Sequence, residues 1–202
     1  MEDTSRRIKY WNITSYQKIH ILKLVKETLT MKIIIEAETE DDYEQITRLH
    51  LEAFDGDGEA KLVQKLRRTP IYISNLSLVA KYENKIIGHV LFYPIKIKND
   101  KIESNSLALA PISVFPKFQR KGVGSKLIQK GLEEAKKFGF NSIIVVGHSE
   151  YYPRFGFEKA SKYGISAPFN VPENAFFAIE LEKNGLKNCN GIVEYPKEFM
   201  GV

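Results

Sequence analysis

One cysteine, Cys189, and four scattered histidines are all that 202 residues offer in soft metal ligands. A single thiol excludes an internal disulfide, and with no CxxC and no HExxH the chain is expected to hold no metal. No run of about 18 apolar residues is present to span a bilayer, and the start lacks the unbroken apolar core of a secretory leader. A soluble, cytoplasmic protein with no membrane partner is the expectation. Internal repeats and low-complexity tracts are also missing. What is present is 43% hydrophobic residues, enough to fill the core of one ordinary domain.

The net charge is +5, but it is unevenly placed. Residues 1–30 carry six Lys/Arg (Arg6, Arg7, Lys9, Lys18, Lys23, Lys26) against three acids, and so hold +3 of it. The rest is close to balanced, which speaks for solvated surface charge and against a nucleic-acid face. Those thirty residues lack clear periodicity and read as an appendage, 1–30, disordered or loosely docked, ahead of a domain at 31–202.

From Ile33 the elements alternate legibly. Ile33 to Glu38 is strand-like, and Asp41 or Asp42 is placed to cap a helix carrying Ile46, Leu49 and Phe54. Two glycines in "DGDGEAKLVQKLRR" break the chain before a helix with Leu62, Val63 and Leu66 inward. Glu83-Asn84-Lys85 joins two apolar runs as a hairpin, and a turn at Asn99-Asp100 leads into "ESNSLALAPISVF". Pro111 lacks a ladder donor, so a strand that continues past it needs a bulge or a break. Val123, Leu127, Ile128, Leu132, Ala135 and Phe138 keep helical spacing, and "SIIVVG" follows as a short buried parallel strand. A meander leading into a right-handed crossover results, with "AFFAIELE" and "GIVEY" as last strands.

Between that fourth strand and its helix stands "FQRKGVGSK". Gly122 and Gly124 permit positive φ and close approach of a ligand. The helix start supplies unpaired N–H groups and partial positive charge, reinforced by Arg120 and Lys121, so the bend is built for an anion, phosphate above all. A P-loop is excluded, because no glycine stands five residues before Gly124. The dinucleotide fingerprint is excluded too: the third glycine is missing, the unit comes late, and "SIIVVGH" ends without an acid.

The remaining pattern, "ISVFPKFQRKGVG" followed by "YPRFGF" from Tyr152 to Phe157, resembles the GCN5-related N-acetyltransferases (GNAT). With "VVGHSEYYPRFGF" and the "GIVEYPKEF" tail it is similar to the YhbS-like branch of that superfamily. The resemblance implies an α/β fold with a central mixed, mostly antiparallel sheet flanked by helices, parallel at strands 4 and 5. It also implies acetyl-CoA as cosubstrate. Ile112, Ser113 and Val114 would offer backbone groups to its pantetheine arm; Gln119, Arg120, Lys121, Gly122, Val123, Gly124 and Ser125 would surround its pyrophosphate.

Tyr152, four residues before Gly156, stands where the family keeps its general acid, and Tyr151 is expected to face elsewhere. A phenol stays protonated at neutral pH and suits a leaving thiolate. The base is not legible: strand 4 has no acid, and His50, Asp55, Asp57, Glu59, His148 and Glu150 stay open, while His89 reads as a hydrogen-bonded structural residue. The implied activity is acetyl transfer to a primary amine of a small molecule or protein. The alternatives are a non-catalytic acyl-CoA-binding module and, using the basic first thirty residues, a nucleic-acid binder. A homodimer is compatible with the fold.

Overall fold

The structure, a computed structural model, describes residues 31–200. The basic segment 1–30 lies outside the described residues. Among the described residues nine strands form one sheet in the order β1-β2-β3-β4-β5-β8-β6, with β9 pairing both β3 and β7. β1 is Ile34–Ala37, β2 Ser77–Tyr82, β3 Lys85–Lys98, β4 Glu103–Val114 and β5 Ser142–Val146. After these come β6 (Glu158–Lys159), β7 (Ile165–Ser166), β8 (Phe176–Glu180) and β9 (Gly191–Glu194). Among the described residues three α-helices pack on it: α1 (Tyr43–Ala53), α2 (Gly58–Arg67) and α3 (Val123–Lys137). Every ladder from β1 to β4 is antiparallel, whereas β4 and β5 run parallel, as the resemblance implied.

Local chemistry accounts for most of these boundaries. Glu83 and Asn84 both take positive φ, 49° and 60°, which is the two-residue hairpin turn whose twist matches the strands it joins. Asp42 does not cap α1 with its side chain, contrary to the sequence reading. Its carboxylate turns back to the Thr39 amide at 3.0 Å and to Lys81 at 2.9 Å, because a single 3-10 turn, Glu40–Asp42, precedes the helix and claims the cap. The strand expected to follow "YYPRFGF" is β6, only two residues long, whereas β7 escaped the sequence reading, two residues being too few to carry a period.

The two faces of β3 are distinct. A Cβ on Gly88 would meet Leu127 and Val123 of α3, both at 3.0 Å, so Gly88 faces α3. Leu91 and Tyr93 instead pack with Leu62, Val63 and Leu66 of α2. Leu127 and Ile128 are fully buried, each contributing about 1.5–3 kcal/mol by leaving water. Within α3, Gly131 gives up helix propensity because a Cβ there would fall inside the Phe92 ring. Gly131→Ala therefore forfeits more to overpacking, about 1–3 kcal/mol, than the roughly 1 kcal/mol it gains in propensity, and should lower the urea midpoint.

Candidate active site

β4 and β5 pair at only two positions, Leu107 with Ile143 and Ala108 with Ile144. Beyond Ala108, β4 runs on to Val114 while β5 continues to Val146 and pairs on its far side with β8. The β5-facing edge of Leu109 to Val114 is thus left without a strand partner, and Val146, expected to be buried, is 42% exposed where the strands part. Pro111 sits where β4 holds an extra residue: Val90 faces Ile112 but Phe92 faces Leu109. The bulge is on the β3 side, so the proline is absorbed without ending the strand.

At the mouth of this split lies the glycine bend. Gly122 is the N-cap of α3 in the left-handed region, φ 82°. The second left-handed residue is Arg120 at φ 58°, not Gly124, which is already helical. The first α3 hydrogen bond runs from Lys126 N–H to Gly122 O at 3.0 Å, so the N–H groups of Val123, Gly124 and Ser125 have no intrahelical carbonyl. No acidic residue stands in the first turn, and Arg120 and Lys121 precede it, which is the arrangement an anion requires. Gln119 also has a part in the bend itself. Its Nε2 donates to Val114 O at 3.1 Å, tying the bend to the end of β4.

Both tyrosines flank the split. Tyr152 is 6% exposed, its ring against Gly147 and edge-on to Phe157 and Tyr151. Burial, with Tyr151 beside it, pushes its phenol up to about 12, so the proton stays on. Tyr151 does not face elsewhere: a Cβ on Gly124 would lie 2.7 Å from its hydroxyl, which hydrogen-bonds Ser125. Gly124 is glycine because a phenol crosses the gap to the start of α3, a reason hidden from local sequence. A cavity of about 480 Å3 lined by His148, Ser149, Glu150, Tyr151 and Arg154 adjoins it, with His148 and Glu150 both exposed. A wider one, about 700 Å3, lies between α1, the β2–β3 turn and the Phe115–Phe118 segment that leaves β4.

On the opposite face of the sheet is a polar cluster that sequence reasoning largely missed. Glu38, 5% exposed, receives Arg67 Nε and Nη2, each at 2.7 Å, together with the Tyr72 hydroxyl. His89 Nε2 lies 3.1 Å from Glu38 Oε2 and 2.9 Å from Ser77 Oγ; its Nδ1 is 3.0 Å from His50 Nε2. Burial alone would raise the Glu38 carboxyl, but hydrogen bonds from His89 and Arg67 hold it well below the usual carboxylate range. Burial lowers His89, and burial with His89 and Arg67 nearby takes His50 down to about 3, so both imidazoles are neutral. His89 is the hydrogen-bonded residue expected; nothing in local sequence announced its link to Glu38, 51 residues away. Of the other open candidates for the base, Asp55 and Asp57 are exposed, and Asp57 pairs with Lys61 at 2.7 Å.

Residues 37–157 match the family model described as "Acetyltransferase (GNAT) family". The chain belongs to that family. Among curated relatives it is 38% identical over 133 residues to the uncharacterized N-acetyltransferase YjhQ of Escherichia coli K12, covering 65% of this chain and 74% of that one. To YhbS of the same strain, also an uncharacterized N-acetyltransferase, it is 31% identical over 83% of this chain and 98% of the relative. The crystal structure of E. coli YhbS in complex with CoA superposes with a TM-score of 0.78 at 30% identity, over 84% of this chain and 93% of that one. A GNAT family acetyltransferase from Brucella melitensis in complex with acetyl-CoA gives 0.67 at 27%, over 84% and 99%. As a GNAT family member the chain has the mixed sheet with parallel β4 and β5 that the motifs implied. Among the described residues no helix is long and apolar enough to cross a membrane.

Proposed function

We propose that this family member is an acetyl-CoA-dependent N-acetyltransferase that moves the acetyl group directly to a primary amine, and that residues 31–202 are its catalytic domain, with 1–30 an appendage. The observation that carries the reading is the split beyond Ala108 with the open amino end of α3 at its mouth. A chain of peptide-like amides ending in a diphosphate matches both parts, and the solved YhbS and Brucella proteins hold CoA and acetyl-CoA respectively.

Acetyl-CoA supplies the activated acetyl group. Backbone groups of Ile112, Ser113 and Val114 hold its arm as a strand would; the amides of Val123, Gly124 and Ser125, with Arg120, Lys121 and Gly122 around them, hold the diphosphate. Gln119 serves by fixing the bend, and the Tyr151 hydroxyl, already at Ser125, lines the passage between the two. Tyr152 gives its proton to sulfur as the C–S bond breaks and the C–N bond forms. The proton surrendered by nitrogen restores the phenol. A phenol near 12 donates reluctantly to an ordinary thiolate, but the same dry surroundings raise the thiol as well, which narrows the mismatch.

Calorimetry with CoA, followed by CoA release from acetyl-CoA across a panel of amines, tests this reading. Binding with turnover is expected, and Gly122→Val should abolish the binding by forbidding φ 82°. Binding without turnover on any amine would favour the non-catalytic acyl-CoA module, and no heat at millimolar CoA would end both.

A further inference from the structure

The tautomers of the buried cluster follow from one another. Glu38 is ionised and accepts only, so His89 Nε2, 3.1 Å from it, bears the hydrogen. His89 Nδ1 is then a lone pair, and His50 Nε2, 3.0 Å away, must donate to it. That leaves His50 Nδ1 as a bare acceptor. Among the described residues it is buried without a hydrogen-bond partner, and the one other side-chain atom in that condition is Ser113 Oγ.

Their placement is as telling as their lack of partners. Ser113 stands directly opposite His89 in the β3–β4 ladder, so its side chain shares the α1/α2 face with His89 and His50. The bend and α3 occupy the other face. At one level of β4, then, one side presents the anion-binding helix start and the other presents two unsatisfied acceptors. The residue from which one of them projects belongs to the stretch assigned above to the acetyl donor.

We propose that His50 Nδ1 and Ser113 Oγ form a seat for the neutral acceptor amine, each accepting one N–H and leaving the nitrogen lone pair free to attack. This rests on the acetyltransferase reading and deepens it. An ammonium has no place there: its third hydrogen would lack an acceptor and its charge would be buried, so the amine sheds that proton to water before it is seated. Transfer then moves one remaining hydrogen from nitrogen to sulfur by way of Tyr152, and no side-chain base is needed. The missing carboxylate on β4 ceases to be a gap. His89 on β3, Glu38 after β1, Arg67 on α2 and Tyr72 are the titratable groups of the cluster; burial first, then His89 and Arg67, keep His50 neutral against the opposing pull of Glu38. Phe54 stacks on the His50 ring with centroids 5.9 Å apart, and both acceptors are buried, so entry of the amine requires side chains there to move.

The test compares butylamine with 2,2,2-trifluoroethylamine, amines of widely different basicity, by CoA release against pH in the full chain. The acid limb of kcat/KM should move with the basicity of the amine. A limb at one pH for both amines reports an enzyme base and overturns the seat, as does failure to acetylate either amine while CoA binds. His50→Leu should raise the amine KM up to about tenfold, the worth of one neutral hydrogen bond, with CoA affinity unchanged, and Ser113→Ala should raise the amine KM by a similar factor. His50→Gln, which can still donate to His89 and accept from the amine, should recover most of the loss. Nitrogen-15 NMR of the histidines needs no turnover: hydrogen on His50 Nε2 is expected, and hydrogen on Nδ1 overturns the proposal. Loss of CoA binding by the wild type would instead sink the acetyltransferase reading.

Discussion

Glu38→Gln is expected to destabilise the fold by about 3–5 kcal/mol, read as a large drop in the urea midpoint. Arg67, bonded to Glu38 twice at 2.7 Å with both side chains at most 6% exposed, would keep its charge and lose its counter-charge. Glutamine keeps one oxygen, so one of Tyr72 and His89 would lose its acceptor and face an N–H instead. The cluster also sets the acid response. The carboxyl of Glu38 is depressed below its ordinary 4.5, so its contribution is present above that pH and drains away as pH falls toward the folded value. His50 works in the same direction by the opposite chemistry: below 6.5 the unfolded chain takes up a proton that the folded one refuses until about 3. Melting temperature should therefore fall steadily from pH 6.5 to pH 4, and His50→Gln should flatten that slope.

Tyr152→Phe should cut kcat by roughly 10²–10⁴ while leaving the dissociation constant of acetyl-CoA where it was. The substitution deletes one oxygen and keeps the ring that packs on Phe157 and Gly147, so the fold has little reason to respond. Single-turnover CoA release beside calorimetry separates the two quantities. Wild-type rates in the variant would make Tyr152 a packing residue only. Tyr151→Phe is the useful contrast, because that hydroxyl touches Ser125 at the anion end and its loss should act on CoA affinity before it acts on chemistry.

The fold was readable wherever causes are local. The Glu83-Asn84 hairpin, the α3 periodicity, the bulge demanded by Pro111 and the left-handed turn at Gly122 each follow from a few neighbouring residues. Long-range causes were not readable. Gly124 answers to Tyr151, Asp42 to Lys81, and Glu38 to Arg67 and His89, partners 27 to 51 residues apart in the chain. In each case an individual side chain looked ordinary, as an exposed acid, a flexible bend or a strand histidine does. Only the sheet register sets Ser113 against His89 and so brings it to the face of the proposed amine seat.

The parting of β4 from β5 has a mechanical side. Two residue pairs are the whole ladder between them, so the seam is an unfinished sheet whose missing rung-bearer is the proposed ligand itself. A molecule laid there acts as a borrowed strand, knitting the two neighbours through the same amides that recognise it. Tight holding and stiffening of the framework then have one source, and the enzyme would be most pliant in the interval between releasing one cosubstrate and taking up the next.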